Sequence, residues 1–174
     1  MMRSAGRSVR PRLSIRSRAP QASSPVVRRV MQANTGRTTQ PEAALRSAVH
    51  RLGLRYRVNT QPEDAVRCKA DLLFRQARVC VFVDGCFWHG CPKHFTIPKQ
   101  NREWWLEKIA SNRLRDARHS RKLRRLGWRV LRFWAHDLEV HRLAASATKV
   151  ADAVRRSADA SLANVAGGAP SKTM

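Results

Sequence analysis

Two cysteines and a histidine lie close together in the segment 86–95, CFWHGCPKHF, and they constrain this chain more than any other feature. Four residues separate Cys86 from Cys91, and two separate Cys91 from His94, which is a spacing typical of zinc sites. Thiolates and imidazoles favour zinc over magnesium or calcium, and a structural zinc needs four ligands. His136 is the candidate for the fourth ligand, and His89 is the alternative. The chain is therefore predicted to fold around a structural zinc site.

The net charge of +23, from 35 Lys and Arg against 12 Asp and Glu, would attract a polyanion. Nucleic acid is the first partner to consider, ahead of a membrane surface or a merely solvated basic tail. No secretory signal accompanies the cysteines, so metal binding in a reducing compartment suits them better than disulfides. Cys68 and Cys80 are expected to be ordinary core residues. The longest apolar run, 79–83, is too short to cross a bilayer, and we expect a soluble, cytoplasmic protein.

Composition divides the chain into three predicted parts. Positions 1–41 contain nine Arg and no acidic residue, which predicts a disordered basic arm over 1–30. This arm could contact DNA, and it also resembles an organellar transit peptide, but a solvated tail is the simplest interpretation. Met31 could be an alternative start. One folded domain is expected over 31–140, followed over 141–174 by a weak Ala-rich helix, roughly 143–156, and a flexible tail.

Helices and strands alternate along the predicted domain. Thr39 can cap a helix that Gly53 ends, and a short strand is expected at 56–58. The apolar runs 70–74 and 79–83 predict a hairpin buried in a central sheet, and 128–134 predicts a further strand. A helix over 102–125 is expected to bury one face and expose a basic one. The buried face would hold Leu106, Ile109, Ala110, Leu114 and Ala117, and the basic face Lys108, Arg115, His119 and Lys122.

Two aspartates and a histidine suggest catalytic chemistry. Asp71 opens an apolar strand, and Asp84 ends the next strand, so both carboxylates would lie at one region of the hairpin. Such a pair suits Mg²⁺, which takes oxygen ligands and can polarise a phosphodiester and activate a water. An isolated aspartate in a strand can equally be a turn or edge residue. His89, if it lies close to these carboxylates, could act as a general base toward the attacking water.

Several ordered segments resemble the very-short-patch-repair (Vsr-type) DNA mismatch endonucleases over about 31–138. The segments are DLLF at 71–74, VFVDGCFWHGCP at 81–92, WWLEKI at 104–109, Asn112, Arg115-Asp116, and GWRVL at 127–131. The resemblance is most specific at 84–89. It implies an α/β, restriction-endonuclease-like fold of the PD-(D/E)xK type, in which helices flank a central mixed sheet that carries a structural zinc. It also implies Mg²⁺-dependent nicking of one strand beside the thymine of a T:G mismatch.

The resemblance also implies roles for individual residues. Asp71 would hold magnesium with help from the backbone carbonyl of Val83, His89 would be the general base, and Glu42 would be a supporting acidic residue. The zinc ligands would be Cys86, Cys91, His94 and His136. Phe87, Trp88 and Trp105 would be aromatic wedges beside the mismatch, with Met31 inserting from the other side.

The implied partner is double-stranded DNA with a T:G mismatch. Lys108 and Arg115 are further candidates for DNA contacts. Mismatch-repair proteins and a cytosine-5 methyltransferase system are possible partners by the same resemblance, and a bacterial, monomeric enzyme is expected. Core packing is favoured instead for Trp128 and Trp134, which alternate within a strand.

The chain departs from the family pattern at the predicted site. A well-known member has a histidine in place of Asp84, a threonine in place of Val83 and a cysteine in place of His136. Asp84 could therefore be a second magnesium ligand or a merely permissive residue. No Glu-x-Lys motif follows Asp71, which gives His89 more importance.

Three hypotheses remain at this stage. The chain could be a mismatch nicking endonuclease, a restriction-like nuclease of other specificity, or a non-catalytic zinc-stabilised DNA-binding module in which Asp71 and Asp84 are only structural.

Overall fold

A mixed four-stranded sheet lies at the centre of the structure, a computed structural model in which residues 38–166 are described, with side chains as far as Ser157. The strands are β1 (Arg57–Thr60), β2 (Ala70–Phe74), β3 (Val79–Asp84) and β4 (Arg129–Trp134), and they follow that order across the sheet. β2 is antiparallel to β1 and to β3, whereas β3 and β4 are parallel. The parallel pair needs a crossover connection, which a long helix supplies.

Helices cover both faces of the sheet. They are α1 (Gln40–Arg51), α2 (Arg102–Arg125), a short 3-10 helix (Ala135–Leu138) and α3 (Val140–Ala166). On one face, α1 and α3 pack on the sheet through residues such as Leu45, Val49 and Val150. On the other face, α2 packs through Leu123 against Cys80 and Phe82. The predicted α/β architecture, a sheet flanked by helices, is confirmed, and it fits a small nuclease fold.

The predicted hairpin is present as β2 and β3. β2 and β3 pair with Leu72 opposite Val81, so alternate side chains enter the two cores. Cys80 is fully buried, and burial together with the nearby Cys68 raises the pKa of its thiol to about 12. Cys80 is thus an ordinary core residue, as predicted, and Trp128 is also buried as predicted.

The predicted buried face of the long helix was wrong at most positions. Leu106 is 48% exposed and Leu114 is 55% exposed, and Ala110 and Ala117 are also exposed; only Ile109 is buried. The buried face instead carries Trp105, Ile109, Asn112, Ser120 and Leu123. Two of these residues are polar, and both have partners beneath the helix: Asn112 donates to the carbonyl of Trp88, and Ser120 accepts from Arg132. Apolar periodicity does not predict a buried face that contains polar residues.

The third helix is longer than expected and belongs to the same core as the sheet. α3 begins at Val140 and buries Ala147, Val150 and Ala153 against α1 and the sheet. It is therefore part of the folded unit. The basic arm 1–30, Met31 and the end of the tail, 167–174, lie outside the described residues. Among the helices of the described chain, none is long and apolar enough to span a bilayer.

Candidate active site and zinc centre

Parallel pairing of β3 and β4 brings together the four predicted zinc ligands. Asp84 lies opposite Trp134 at the ends of these strands. Cys86 and His136 each lie two residues further on, so the segments that follow β3 and β4 leave the sheet side by side. The loop after β3 then turns back and adds Cys91 and His94, and one ligand atom from each of the four residues lies within 4.8 Å of every other. His136, and not His89, completes this set of four side chains.

The spacing of the four atoms matches the size of a zinc tetrahedron. With ordinary Zn–S and Zn–N distances, two nitrogens should lie about 3.3 Å apart, and a nitrogen and a sulfur about 3.6 Å apart. Nδ1 of His94 and Nδ1 of His136 are 3.2 Å apart. The four sulfur-to-nitrogen distances lie between 3.3 and 3.8 Å. Nε2 of His136 lies 3.4 Å from a carboxylate oxygen of Asp137, the type of outer contact that orients metal-binding histidines.

A second cluster contains His89, which lies in the same loop between Cys86 and Cys91. Nδ1 of His89 lies 2.7 Å from Oδ2 of Asp116 on α2 and 3.5 Å from Oδ1 of Asp84 at the end of β3. Burial alone would raise the pKa of Asp116, but the hydrogen bond from His89 and the charges of Arg115 and Arg132 lower it below its ordinary value. Asp116 is therefore ionised and can only accept, so Nδ1 of His89 carries a hydrogen and donates it to Asp116.

This second cluster lines a cleft of about 340 Å³ between α2 and β4. Arg132 also lines this cleft. Its Nε donates to Oδ2 of Asp84 at 2.7 Å, and its Nη2 donates to Oδ1 of the same carboxylate. Arg132 also lies 3.7 Å from Asp116. Sequence reasoning missed both Arg132 and the role of Asp116. The signals available were the position of Asp116 within a matched family segment and the position of Arg132 between the apolar residues Leu131 and Phe133 of β4.

Asp71 lies at the same end of the sheet. Its Oδ2 accepts a 2.7 Å hydrogen bond from the backbone N–H of Val83, next to Asp84, and its Oδ1 has no hydrogen-bond partner among the described residues. Burial, with the nearby charges of Glu42 and Asp84, raises the pKa of Asp71 to about 6, although the Val83 bond and Arg46 act in the opposite direction. A carboxylate in this environment would be stabilised by a cation.

Glu42 reaches this region from the first turn of α1. Its Oε1 accepts from the hydroxyl of Thr39 at 2.9 Å, and its Oε2 lies 3.5 Å from Arg46, one turn along the helix. The predicted Thr39 cap is therefore not formed, because the Thr39 side chain bonds the carboxylate of Glu42 instead of a backbone N–H. Glu42 is a neighbour of Asp71 that contributes negative charge.

The predicted wedge residues form one aromatic cluster with their neighbours. The ring centroids of Phe87 and Trp88 are 5.3 Å apart, and each lies within 6 Å of Trp105. Phe87 and Trp88 are partly exposed, but Trp105 is only 8% exposed. Trp105 therefore supports the other two rings in this conformation, and it would reach a base only if the cluster opened. Of the two predicted DNA-contacting cations, Lys108 is half-buried, and the exposed Arg115 bonds Asp116.

Gly90 packs the loop after β3, which contributes residues to both clusters, closely against α2. Its φ is +65°, and a Cβ at this position would lie 2.7 Å from Cγ2 of Ile109. We expect Gly90→Ala to lower the free energy of unfolding by about 2 to 4 kcal/mol, because backbone strain and a core clash would act together. Gly53→Ala is the matched control in urea denaturation, since Gly53 has a φ of +79° but open space around it. Equal losses in the two variants would show that the Ile109 contact does not hold the loop.

Comparisons with known proteins identify similar DNA endonucleases. The family described as DNA mismatch endonuclease Vsr matches residues 24–94. The type II nicking enzyme V.NaeI of Lentzea aerocolonigenes is 47% identical over 111 residues, which cover 63% of this chain and 67% of that protein. The type II nicking enzyme V.NmeDIP of Neisseria meningitidis serogroup C is 42% identical over 130 residues, covering 74% and 85% of the two chains.

The DNA mismatch endonuclease Vsr of Escherichia coli K12 is 37% identical over 105 residues, which cover 60% of this chain and 65% of that protein. Identity of this extent, over most of each chain, goes well beyond the short motifs of the loop. The chain belongs to the Vsr-type family of endodeoxyribonucleases.

Proposed function

We propose that this endonuclease nicks one strand of DNA beside the thymine of a T:G mismatch, in very short patch repair, with Mg²⁺ at Asp71 and with His89 as general base. The observation that carries the proposal is that the Asp71 carboxylate and the His89 imidazole contact adjacent residues at the end of β3. Asp71 bonds the backbone of Val83, and the next residue, Asp84, contacts the imidazole of His89. Metal-assisted phosphodiester hydrolysis needs such a carboxylate and base close together.

The residues around Asp71 fit a magnesium ion. Mg²⁺ takes oxygen ligands, and Oδ1 of Asp71, which has no hydrogen-bond partner within residues 38–157, lies where Glu42 and Asp84 add negative charge. Asp71 would hold the ion with the backbone carbonyl of Val83. Magnesium bound there would polarise the scissile phosphodiester and stabilise the charge that develops on it.

His89 would remove the proton from the attacking water through Nε2. Asp116 holds Nδ1 as a hydrogen-bond donor, which fixes the ring and leaves the lone pair of Nε2 available. Because the imidazole is only partly buried, a water molecule can approach it from the cleft. Glu42 would act only through its charge on Asp71.

The four side chains of the loop would hold a structural zinc. Cys86, Cys91, His94 and His136 supply the soft donors and the tetrahedral spacing that zinc requires. Zinc there would fix the path of residues 86–94, and that path sets the position of His89.

Phe87 and Trp88 would enter the base stack at the mismatch. Aromatic rings stack on bases with about 1 to 3 kcal/mol each, and a mismatched pair costs less to unstack than a proper pair. Both rings are partly exposed on the zinc loop, next to His89. Trp105 and Met31 would complete the wedge, and Lys108 and Arg115 would contact the backbone of the DNA.

A nicking assay on strand-labelled duplexes tests the proposal. We expect Mg²⁺-dependent nicking of the thymine strand of a T:G duplex and at least about a hundredfold slower nicking of the matched duplex. Asp71→Ala should abolish nicking on every substrate. Equal rates on matched and mismatched DNA would instead support a restriction-like nuclease of other specificity. No cleavage of any duplex by the zinc-loaded protein would support a non-catalytic DNA-binding module.

The proposed setting is a bacterial cytoplasm, because the similar proteins named above come from bacteria. A monomer would suffice, since all the proposed groups lie on one chain. Mismatch-repair proteins and a cytosine-5 methyltransferase system are proposed as functional partners, because such methylation followed by deamination creates T:G mismatches.

A further inference from the structure

We propose that Arg132 is a positioning residue for nicking, because it holds Asp84 beside His89 and keeps the Asp84 carboxylate out of the magnesium shell. The inference rests on the proposed function, in which Asp71 holds the metal and His89 is the base. It also assigns a role to Asp84, which sequence reasoning left open between metal ligand and permissive residue.

The contacts of Arg132 occupy both oxygens of Asp84. Nε donates to Oδ2 and Nη2 donates to Oδ1, which is the two-point arrangement in which guanidinium and carboxylate bind most strongly. Only 10% of the Asp84 side chain is exposed. A magnesium ion at Asp84 would therefore have to displace a partly buried guanidinium, whereas the Oδ1 atom of Asp71 has no hydrogen-bond partner in the described part of the chain.

The position of Arg132 is itself fixed from several sides. Its neighbour across the parallel strands is Phe82, and its guanidinium carbon lies 5.0 Å above the Phe82 ring. Its Nη1 donates to Oγ of Ser120 on α2 at 3.4 Å. Burial alone would lower the pKa of Arg132, but Asp84, Asp116 and Asp71 raise it above its ordinary value, so the group stays charged.

Arg132 also compensates for repulsion between two carboxylates. Oxygens of Asp84 and Asp116 lie within 4.8 Å of one another, and both approach Nδ1 of His89. Arg132 contacts both carboxylates, at hydrogen-bond distance for Asp84 and at 3.7 Å for Asp116. Without its charge the carboxylates would move apart, and His89 would lose one of the two groups that hold it in place.

Steady-state nicking of T:G duplex by Arg132→Met and Arg132→Lys tests this role. We expect Arg132→Met to lower kcat about 10- to 100-fold, as changes to outer-shell residues do, with KM changed less than about threefold. Arg132→Lys should recover part of the loss, because it restores the charge but not the two-point bond. Arg129→Met is the matched control on the same strand, because Arg129 is exposed and its side chain makes one weak hydrogen bond among the described residues, 3.5 Å to the carbonyl of Ala153.

Asp84→Asn separates anchoring from metal binding. If Asp84 is an anchor, the Mg²⁺ concentration for half-maximal nicking should stay within about twofold of wild type while kcat falls. A rise of about tenfold or more would show that Asp84 binds the metal and would overturn the proposal. Wild-type kcat in Arg132→Met would overturn it as well.

A readout independent of nicking keeps this inference distinct from the proposed function. In a histidine-selective ¹H–¹⁵N NMR spectrum, the Nδ1–H of His89 should give a protected signal that His89→Gln removes. We expect the signal to be lost or strongly shifted in Arg132→Met and retained in Arg132→Lys and Arg129→Met. An unchanged signal in Arg132→Met contradicts the positioning role, whether or not the wild-type protein nicks DNA. If the signal changes as expected but no duplex is nicked, only the proposed function fails.

Discussion

Asp71→Asn is expected to abolish nicking and, at the same time, to stabilise the magnesium-free protein at pH 8. The loss of activity should reach about a thousandfold or more, because a metal ligand supplies several kcal/mol of charge stabilisation in the transition state. The gain in stability follows from the pKa of Asp71, which is raised from 3.8 to about 6. Because the surroundings of Asp71 disfavour its charged form, a neutral amide at this position should raise the free energy of unfolding.

The direction of the pH effect follows from proton binding. With a folded pKa of about 6, the native protein binds the Asp71 proton more tightly than the unfolded chain does. Stability from this group is therefore present below about pH 4 and is lost as pH rises from about 4 to about 6. Above pH 6 the ionised group costs up to about 3 kcal/mol. Nicking should depend on pH in the opposite direction. It should fall as the pH is lowered, because acid protonates Asp71 and displaces magnesium.

Urea denaturation at pH 8 without added magnesium measures the stability effect. We expect Asp71→Asn to raise the free energy of unfolding by about 1 to 3 kcal/mol and to remove the stabilisation that magnesium gives to wild type. Asp64→Asn is the matched control, because Asp64 is exposed and the same substitution should change stability by less than about 0.5 kcal/mol. A less stable Asp71→Asn protein would show that the carboxylate is satisfied without a metal.

Loss of zinc is the second change with a large expected effect. His136→Ala should leave the purified protein with well under one zinc per chain by mass spectrometry, since a structural tetrahedron needs its fourth ligand. Structural zinc contributes many kcal/mol to folding, so the thermal midpoint should fall by about 10 °C or more. The tryptophan emission should shift to the red, because Trp88 lies in the loop and packs against Trp105 of α2, and loss of the loop structure would expose both rings to water.

His141→Ala is the control for this prediction. His141 lies five residues away on α3 with its side chain 64% exposed, and it is not part of the cysteine and histidine cluster. It should keep full zinc and an unchanged thermal midpoint. Full zinc retention in His136→Ala would contradict the proposed ligand set, even if the protein lost stability.

Local patterns predicted much of the fold. The alternation and apolar runs of β2, β3 and β4 and the glycines that end α1 and α2 all have a direct sequence signature. The cysteine and histidine spacing predicted a cluster, and the parallel register of β3 and β4 explains why His136 joins it. Such a register depends on pairing between segments that are far apart in the sequence, which local patterns do not specify.

Contacts between distant polar residues could not be predicted in the same way. Arg132 and Asp116 are partly buried and Ser120 is buried between α2 and the sheet, where hydrophobic periodicity predicts apolar side chains. Leu106 and Leu114 were assigned to the core for the same reason, and they are exposed. In the cleft between α2 and β4, polar contacts replace apolar packing, which is why the pattern failed there.

The central claim is that Asp71 and His89 act in one active site, and single-turnover nicking of a T:G duplex by Asp71→Asn, His89→Gln and the double variant tests it most directly. Residues that act as a unit have strongly non-additive effects. We predict that each single variant loses about a hundredfold or more and that the double variant is no slower than the slower single variant. Losses that multiply in the double variant, or a His89→Gln enzyme that nicks at the wild-type rate, would contradict the account.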